Sequence, residues 1–111
     1  MSFKLEVKKR QDREPIIYLF GELDIYESTN FKIKVLDEVE KYTGDLYLDF
    51  TNLDYIDSTG LGELIAILKD LKEDGREVYL IGVNERIRKL FKITQLEEMF
   101  KFIGAEDVRE N

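Results

Sequence analysis

Three short segments of strand character set the frame of this chain: residues 16–20 (IIYLF), 46–50 (LYLDF) and 78–81 (VYLI). Each is rich in residues that favour extended backbone. Between them the apolar spacing is helical. Phe31, Val35, Val39 and Tyr42 fall on one face, and so do Leu61, Leu64, Ile65, Leu68 and Leu71. Strands separated by helix-length segments are joined by crossovers, and crossovers make neighbouring strands parallel. An α/β fold follows.

The flanks complete the pattern. Phe3, Leu5 and Val7 alternate with polar residues, as in a half-buried strand. A polar turn at 11–15 brings that strand back against 16–20 as an antiparallel hairpin. Gly21-Glu-Leu-Asp24 closes the second strand. The first helix then starts at an N-cap of Ser28 or Thr29 and ends at Gly44. A loop is expected over 51–57, with Ser58 opening the second helix and Gly75 stopping it. Asn84 caps a third helix that turns Ile87, Leu90 and Phe91 inward. A last strand is expected over 99–103 and a final helical turn over 106–109. The order is β-β-α-β-α-β-α-β: a mixed sheet of four or five strands packed by helices. No internal repeat, low-complexity tract or linker interrupts it, so 1–111 reads as one domain.

Composition removes several functions. The chain has 111 residues, 43% of them hydrophobic, enough for a packed core. Its net charge of −7 repels phosphate backbones and anionic lipid, so neither nucleic acid nor membrane is an expected partner. The basic run Lys8-Lys9-Arg10 is broken by Asp12 and Glu14 and reads as a solvated strand end. There is no histidine and no cysteine. Ser-His-Asp and Cys-His catalysis are thereby excluded, with thiolate and imidazole metal sites. An enzyme is not expected, nor a cofactor. No stretch approaches the roughly 18 apolar residues of a membrane span, and MSFKLEVKKR lacks the apolar core of a secretory signal. A cytoplasmic location is expected.

The informative stretch is Asp57-Ser-Thr-Gly-Leu-Gly62, at a helix start. Ser58 can serve there as an N-cap, its hydroxyl accepting a free backbone N–H. Gly60 and Gly62 strip bulk from the first turn, which lets a partner's backbone approach. Glycine costs about 1 kcal/mol in a helix, so two of them near a start ask for a reason. Three uses fit: a cap alone, a switch, or a phosphate cradle. The cradle lacks the GxxxxGK[ST] spacing and a nearby lysine. Asp24 and Asp57 resemble paired carboxylates for acid–base work, but a loop carboxylate beside a helix start is more often a local acceptor. Tyr18, Tyr47 and Tyr79 read as packing, whereas Tyr26 and Tyr55 flank the motif as candidate exposed contacts.

These residues resemble the anti-sigma factor antagonists, the single-domain bacterial members of the STAS family. The resemblance runs from about residue 3 to 108. It is carried by Gly21-Glu-Leu-Asp24, by Leu48-Asp-Phe50 followed by Tyr55-Ile-Asp-Ser-Thr-Gly-Leu-Gly62, and by Val83-Asn-Glu-Arg-Ile-Arg-Lys-Leu-Phe91. It implies a protein-binding switch in transcription regulation. The unmodified form would bind an anti-sigma factor that is also a serine kinase, freeing a sigma factor. Phosphorylation of Ser58 would release that partner, and a phosphatase would reset the cycle. Asp24, Asp57, Ser58, Thr59, Gly60, Leu61 and Gly62 are the implied partner-binding residues, with Thr59 a second modification candidate. A scaffold or sensor STAS protein of a stress-signalling assembly, with a different partner, is the alternative.

Overall fold

The computed structural model describes residues 2–108. Strands β1 (Phe3–Arg10) and β2 (Arg13–Leu23) form the hairpin, closed by a two-residue turn in which Asp12 takes a left-handed φ of 59°. Aspartate tolerates that conformation better than most residues. Helix α1 (Ser28–Val39), β3 (Leu46–Ile56), α2 (Ser58–Glu73), β4 (Val78–Ile81), α3 (Glu85–Ile93) and β5 (Lys101–Ile103) follow. The sheet order is β1-β2-β3-β4-β5, with β1 antiparallel to β2 and the other neighbours parallel. The expected order of elements and the mixed sheet are both present.

Ile17, Leu19, Leu48 and Leu80 from the strands meet Phe31 and Val35 of α1, Leu64 and Leu68 of α2, and Phe91 of α3 in one buried cluster. The opposite sheet face carries two tyrosines side by side. Tyr47 and Tyr79 are register partners stacked with centroids 4.7 Å apart, the packing role expected of them.

Several local expectations are corrected. The loop expected over 51–57 is strand as far as Ile56. β3 outruns β4 and goes on pairing with β2 through two register shifts, ending at Leu23 opposite Ile56. Leu53 and Ile56 are buried while Thr51, Asn52, Asp54 and Tyr55 are exposed, so the polar residues meet solvent from within the strand. β2 is longer at both ends than the apolar run 16–20. Helix α1 has Glu27 at its N-cap position without a side-chain bond, not Ser28 or Thr29, and Ser28 is buried. It stops at Val39, before Gly44. Gly44 lies beyond that stop, and the space a Cβ would take there is filled by the movable Glu14 carboxylate that accepts the Asp45 N–H.

In α2, Ile67 rather than Ile65 joins the fully buried stripe. Gly75 is the stop: at φ 72° it lets its own N–H reach Lys72 O while the Arg76 N–H reaches Leu71 O, a Schellman closure. Asn84 caps α3 through Oδ1 to the Ile87 N–H at 2.8 Å. Ile87 and Phe91 are buried, and Leu90 is half-buried. The last strand is shorter than expected because a 3₁₀ turn occupies Glu97–Met99. The final turn lies at Ala105–Asp107, and Arg109 falls outside the described residues.

The extension of β3 is testable by substitution. Leu53→Ala is expected to cost about 2–5 kcal/mol, as for a buried leucine, and Asn52→Ala within about 0.5 kcal/mol. Urea denaturation of the two variants measures both; equal small effects would mean that 51–56 is a surface loop.

Candidate functional site

The pairing of Leu23 with Ile56 sets the site, because it brings the ends of β2 and β3 side by side. The chain leaves each strand into a turn and then a helix. Asp24 stands at the first exit and Asp57 at the second. The Asp57 N–H donates to Leu23 O at 3.3 Å, and the Ile25 N–H donates to the Asp57 carboxylate, so the exits are tied together.

Asp57, not Ser58, is the N-cap of α2. Its backbone is extended (φ −104°, ψ −173°), and its Oδ1 accepts the Thr59 N–H and the Gly60 N–H, each at 3.0 Å. The Thr59 hydroxyl donates to the same oxygen at 2.6 Å. Desolvation pushes the Asp57 carboxyl up, but the bonds from the Thr59 hydroxyl and from the Gly60, Thr59 and Ile25 N–H groups outweigh it, so its pKa lies below the ordinary carboxylate value. Asp24 plays a parallel part. Its Oδ1 accepts the N–H groups of Tyr26 (3.0 Å) and Glu27 (3.3 Å), supplying α1 with the satisfaction that Glu27 does not. Both carboxylates are therefore local acceptors that shape their turns.

The remaining motif residues divide by burial. Gly60 is buried, and a Cβ there would stand 2.8 Å from Leu23 O; only glycine lets the first turn of α2 seat on the end of β2. Leu61 turns into the core, so it anchors the helix rather than offering a surface contact. Thr59 is partly buried with its hydroxyl engaged by Asp57. Ser58 is exposed, is the first residue of α2, and makes no side-chain hydrogen bond among the described residues. Gly62 is exposed too, and a Cβ there would meet nothing within 4 Å. Residues four apart share a helix face, so Gly62 leaves the surface bare beside Ser58.

Apolar side chains flank this surface. Tyr26 is 86% exposed, Ile25 61% and Tyr55 47%. The two tyrosines were legible as candidate contacts. Ile25 was not singled out, although an isoleucine directly after Gly-Glu-Leu-Asp, in a turn, was the available signal. Glu63 is drawn 3.9 Å from Lys32 on α1, which offsets part of its charge. Among the described residues no cluster of three or more acidic, histidine or cysteine side chains could hold a metal ion, and no helix is long and apolar enough to cross a membrane.

The STAS domain model matches residues 4–108. The chain belongs to the STAS domain family. It is 36% identical over 89 residues to an anti-sigma-B factor antagonist of Staphylococcus aureus (strain NCTC 8325 / PS 47), covering 80% of this chain and 82% of that one. Among solved structures it is similar to a Thermotoga maritima protein described as a candidate anti-sigma factor antagonist, with TM-score 0.76, 28% identity, and 88% and 84% of the two chains covered. It is also similar to the phosphorylated form of the Bacillus cell fate determinant SpoIIAA, with TM-score 0.67, 25% identity, and 96% and 95% covered.

The cap assignment gives a paired prediction. Asp57→Ala is expected to cost about 0.5–2 kcal/mol, whereas Ser58→Ala should stay within about 0.5 kcal/mol. Because the folded pKa of Asp57 is depressed, its contribution is present above the unfolded carboxylate pKa and is lost as pH falls through the folded value. The difference between wild type and Asp57→Ala should therefore shrink below about pH 4. Thermal melts across pH 2–7 measure it, and a larger loss from Ser58→Ala would return the cap to Ser58.

Proposed function

We propose that this chain is an anti-sigma factor antagonist, switched by phosphorylation of Ser58, with 1–111 acting as one unit. In its unmodified form it binds an anti-sigma factor serine kinase through the surface around Asp24, Asp57, Ser58, Thr59, Gly60 and Gly62. A phosphatase acting on phosphorylated Ser58 restores binding. The observation that carries this reading is the exposed, unbonded Ser58 hydroxyl at the start of a helix whose cap is supplied by its neighbour. The names of the relatives and the phosphorylated state of SpoIIAA support it.

The physical chemistry fits. A kinase needs a serine oxygen that is free and reachable, and Thr59 offers neither as well as Ser58 does. A phosphate adds about −1.5 to −2 charges. At a helix start it is favoured by the dipole, by about 0.3–1 kcal/mol, so the fold tolerates it. A partner surface shaped for a neutral hydroxyl then meets repulsion and an unpaired charge. No group-transfer chemistry is assigned to the chain itself; it acts as substrate and ligand, in the cytoplasm, without cofactor, membrane or nucleic acid.

Mass spectrometry after incubation with the cognate kinase and ATP should place phosphate on Ser58 and none on Ser58→Ala. Phosphate on Thr59 alone would refute the assignment. Calorimetry with the same kinase should show Ser58→Ala binding near wild-type strength and Ser58→Asp weaker by at least about tenfold, or 1.4 kcal/mol. Gly62→Ala separates binding from stability. It should stabilise the helix by about 0.5–1 kcal/mol and weaken partner binding, since no packing inside the fold calls for glycine there. Unchanged binding by Gly62→Ala and Ser58→Asp together would remove this surface from the interface.

A further inference from the structure

The buried side-chain polar atoms without a hydrogen-bond partner gather in one place. Among the described residues they are both terminal guanidinium nitrogens of Arg10 and the hydroxyl oxygen of Tyr42. Both residues line the same cleft, of about 230 Å³. It lies where β1 turns into β2 and α1 has just ended, at the start of β2, while Ser58 stands beyond its far end. Buried donors are almost always satisfied, so two side chains left unsatisfied beside one cleft call for an explanation.

Arg10 is held in place by its other contacts. Its Nε donates to Glu14 O at 2.8 Å, and its guanidinium carbon lies 5.0 Å from the Tyr47 ring centroid. Those contacts fix the plane and leave the forked end unused, the part that suits a two-oxygen acceptor. Lys9, Arg13 and Lys41 also line the cleft. Its one carboxylate, Glu38, lies 3.0 Å from Lys41 Nζ. Lys9, Arg10 and Arg13 form no ion pair among the described residues. This concentration of positive charge stands in a chain of net charge −7. Burial, helped by the Glu14 and Glu38 carboxylates and opposed by the Arg76 guanidinium, pushes the Tyr42 phenol up to about 12, so near neutrality it keeps its proton.

We propose that this cleft binds the phosphate group of a small molecule, held by the Arg10 guanidinium and the Tyr42 hydroxyl, with Lys9 and Arg13 at its mouth. The orphaned Arg10 and Tyr42 atoms are sealed from solvent, so the anion reaches them only when side chains lining the cleft move aside. The inference is independent of the Ser58 switch. It revises the reading of Lys8-Lys9-Arg10 as only a solvated strand end.

Backbone amide spectra of the whole chain, titrated with inorganic phosphate at fixed pH and at an ionic strength held constant with chloride, test it. Saturable shifts are expected at amides 9–14 and 40–44, with those at 57–62 unmoved. Arg10→Gln should weaken binding by about tenfold or more. The double variant of Lys9→Gln and Arg13→Gln, both exposed, should also weaken it, and decides the matter if Arg10→Gln does not fold. Absence of saturation, shifts matched by chloride alone, or undiminished binding by the double variant would overturn the proposal. Acetate binding as tightly as phosphate would overturn the choice of phosphate.

Discussion

One carboxylate oxygen organises the end of the molecule that carries the motif. Asp57 Oδ1 takes two backbone N–H groups from the first turn of α2 and the Thr59 hydroxyl, and the Asp57 carboxylate also takes the Ile25 N–H from the neighbouring turn. Because Asp57 caps the helix, Ser58 does not have to. Because Thr59 is bonded to Asp57, it is withdrawn from the surface. The exposure of Ser58 is thus a consequence of the residues on either side of it. The same oxygen satisfies backbone donors that a helix start would otherwise leave open.

The rest of the fold holds that arrangement still. Leu23 and Ile56 end adjacent parallel strands, and both are buried, so the two exits cannot drift apart without opening the core. Gly60 allows the closest approach of α2 to β2, and Leu61 and Leu64 pin the helix from beneath. A partner would thus meet a preformed surface with little left to order on binding, which favours affinity. Tyr26, Ile25 and Tyr55 add exposed apolar area beside it.

Much of this was legible in the sequence, and the misses have physical causes. Strand and helix periods gave the order of elements, since apolar spacing is fixed by which face meets the core. Gly75 and Asn84 marked their helix ends because left-handed φ and side-chain capping are local properties. The cap of α2 was misplaced by one residue: aspartate, serine and threonine all cap well, and only the backbone angles of Asp57 separate them. The far half of β3 was missed because it has sheet on one side only, so polar residues reach solvent within a strand. Gly44 reads as a helix stop, whereas α1 ends at Val39 and the neighbour of Gly44 is the Glu14 carboxylate, a contact distant in sequence. Gly60 and Gly62 looked alike in sequence; burial separates them into a packing need and an open surface.

In this account the proposed phosphate is added to a surface that is already built, and acts by its charge and bulk at that surface. Comparing backbone amide shifts of the unmodified chain and of chain phosphorylated on Ser58 tests this most directly. Changes confined to 23–27 and 57–63, with β4 (Val78–Ile81) unmoved, are the predicted result. Shifts spreading into β4 and the core of the sheet would mean that phosphorylation rebuilds the fold, and would contradict it.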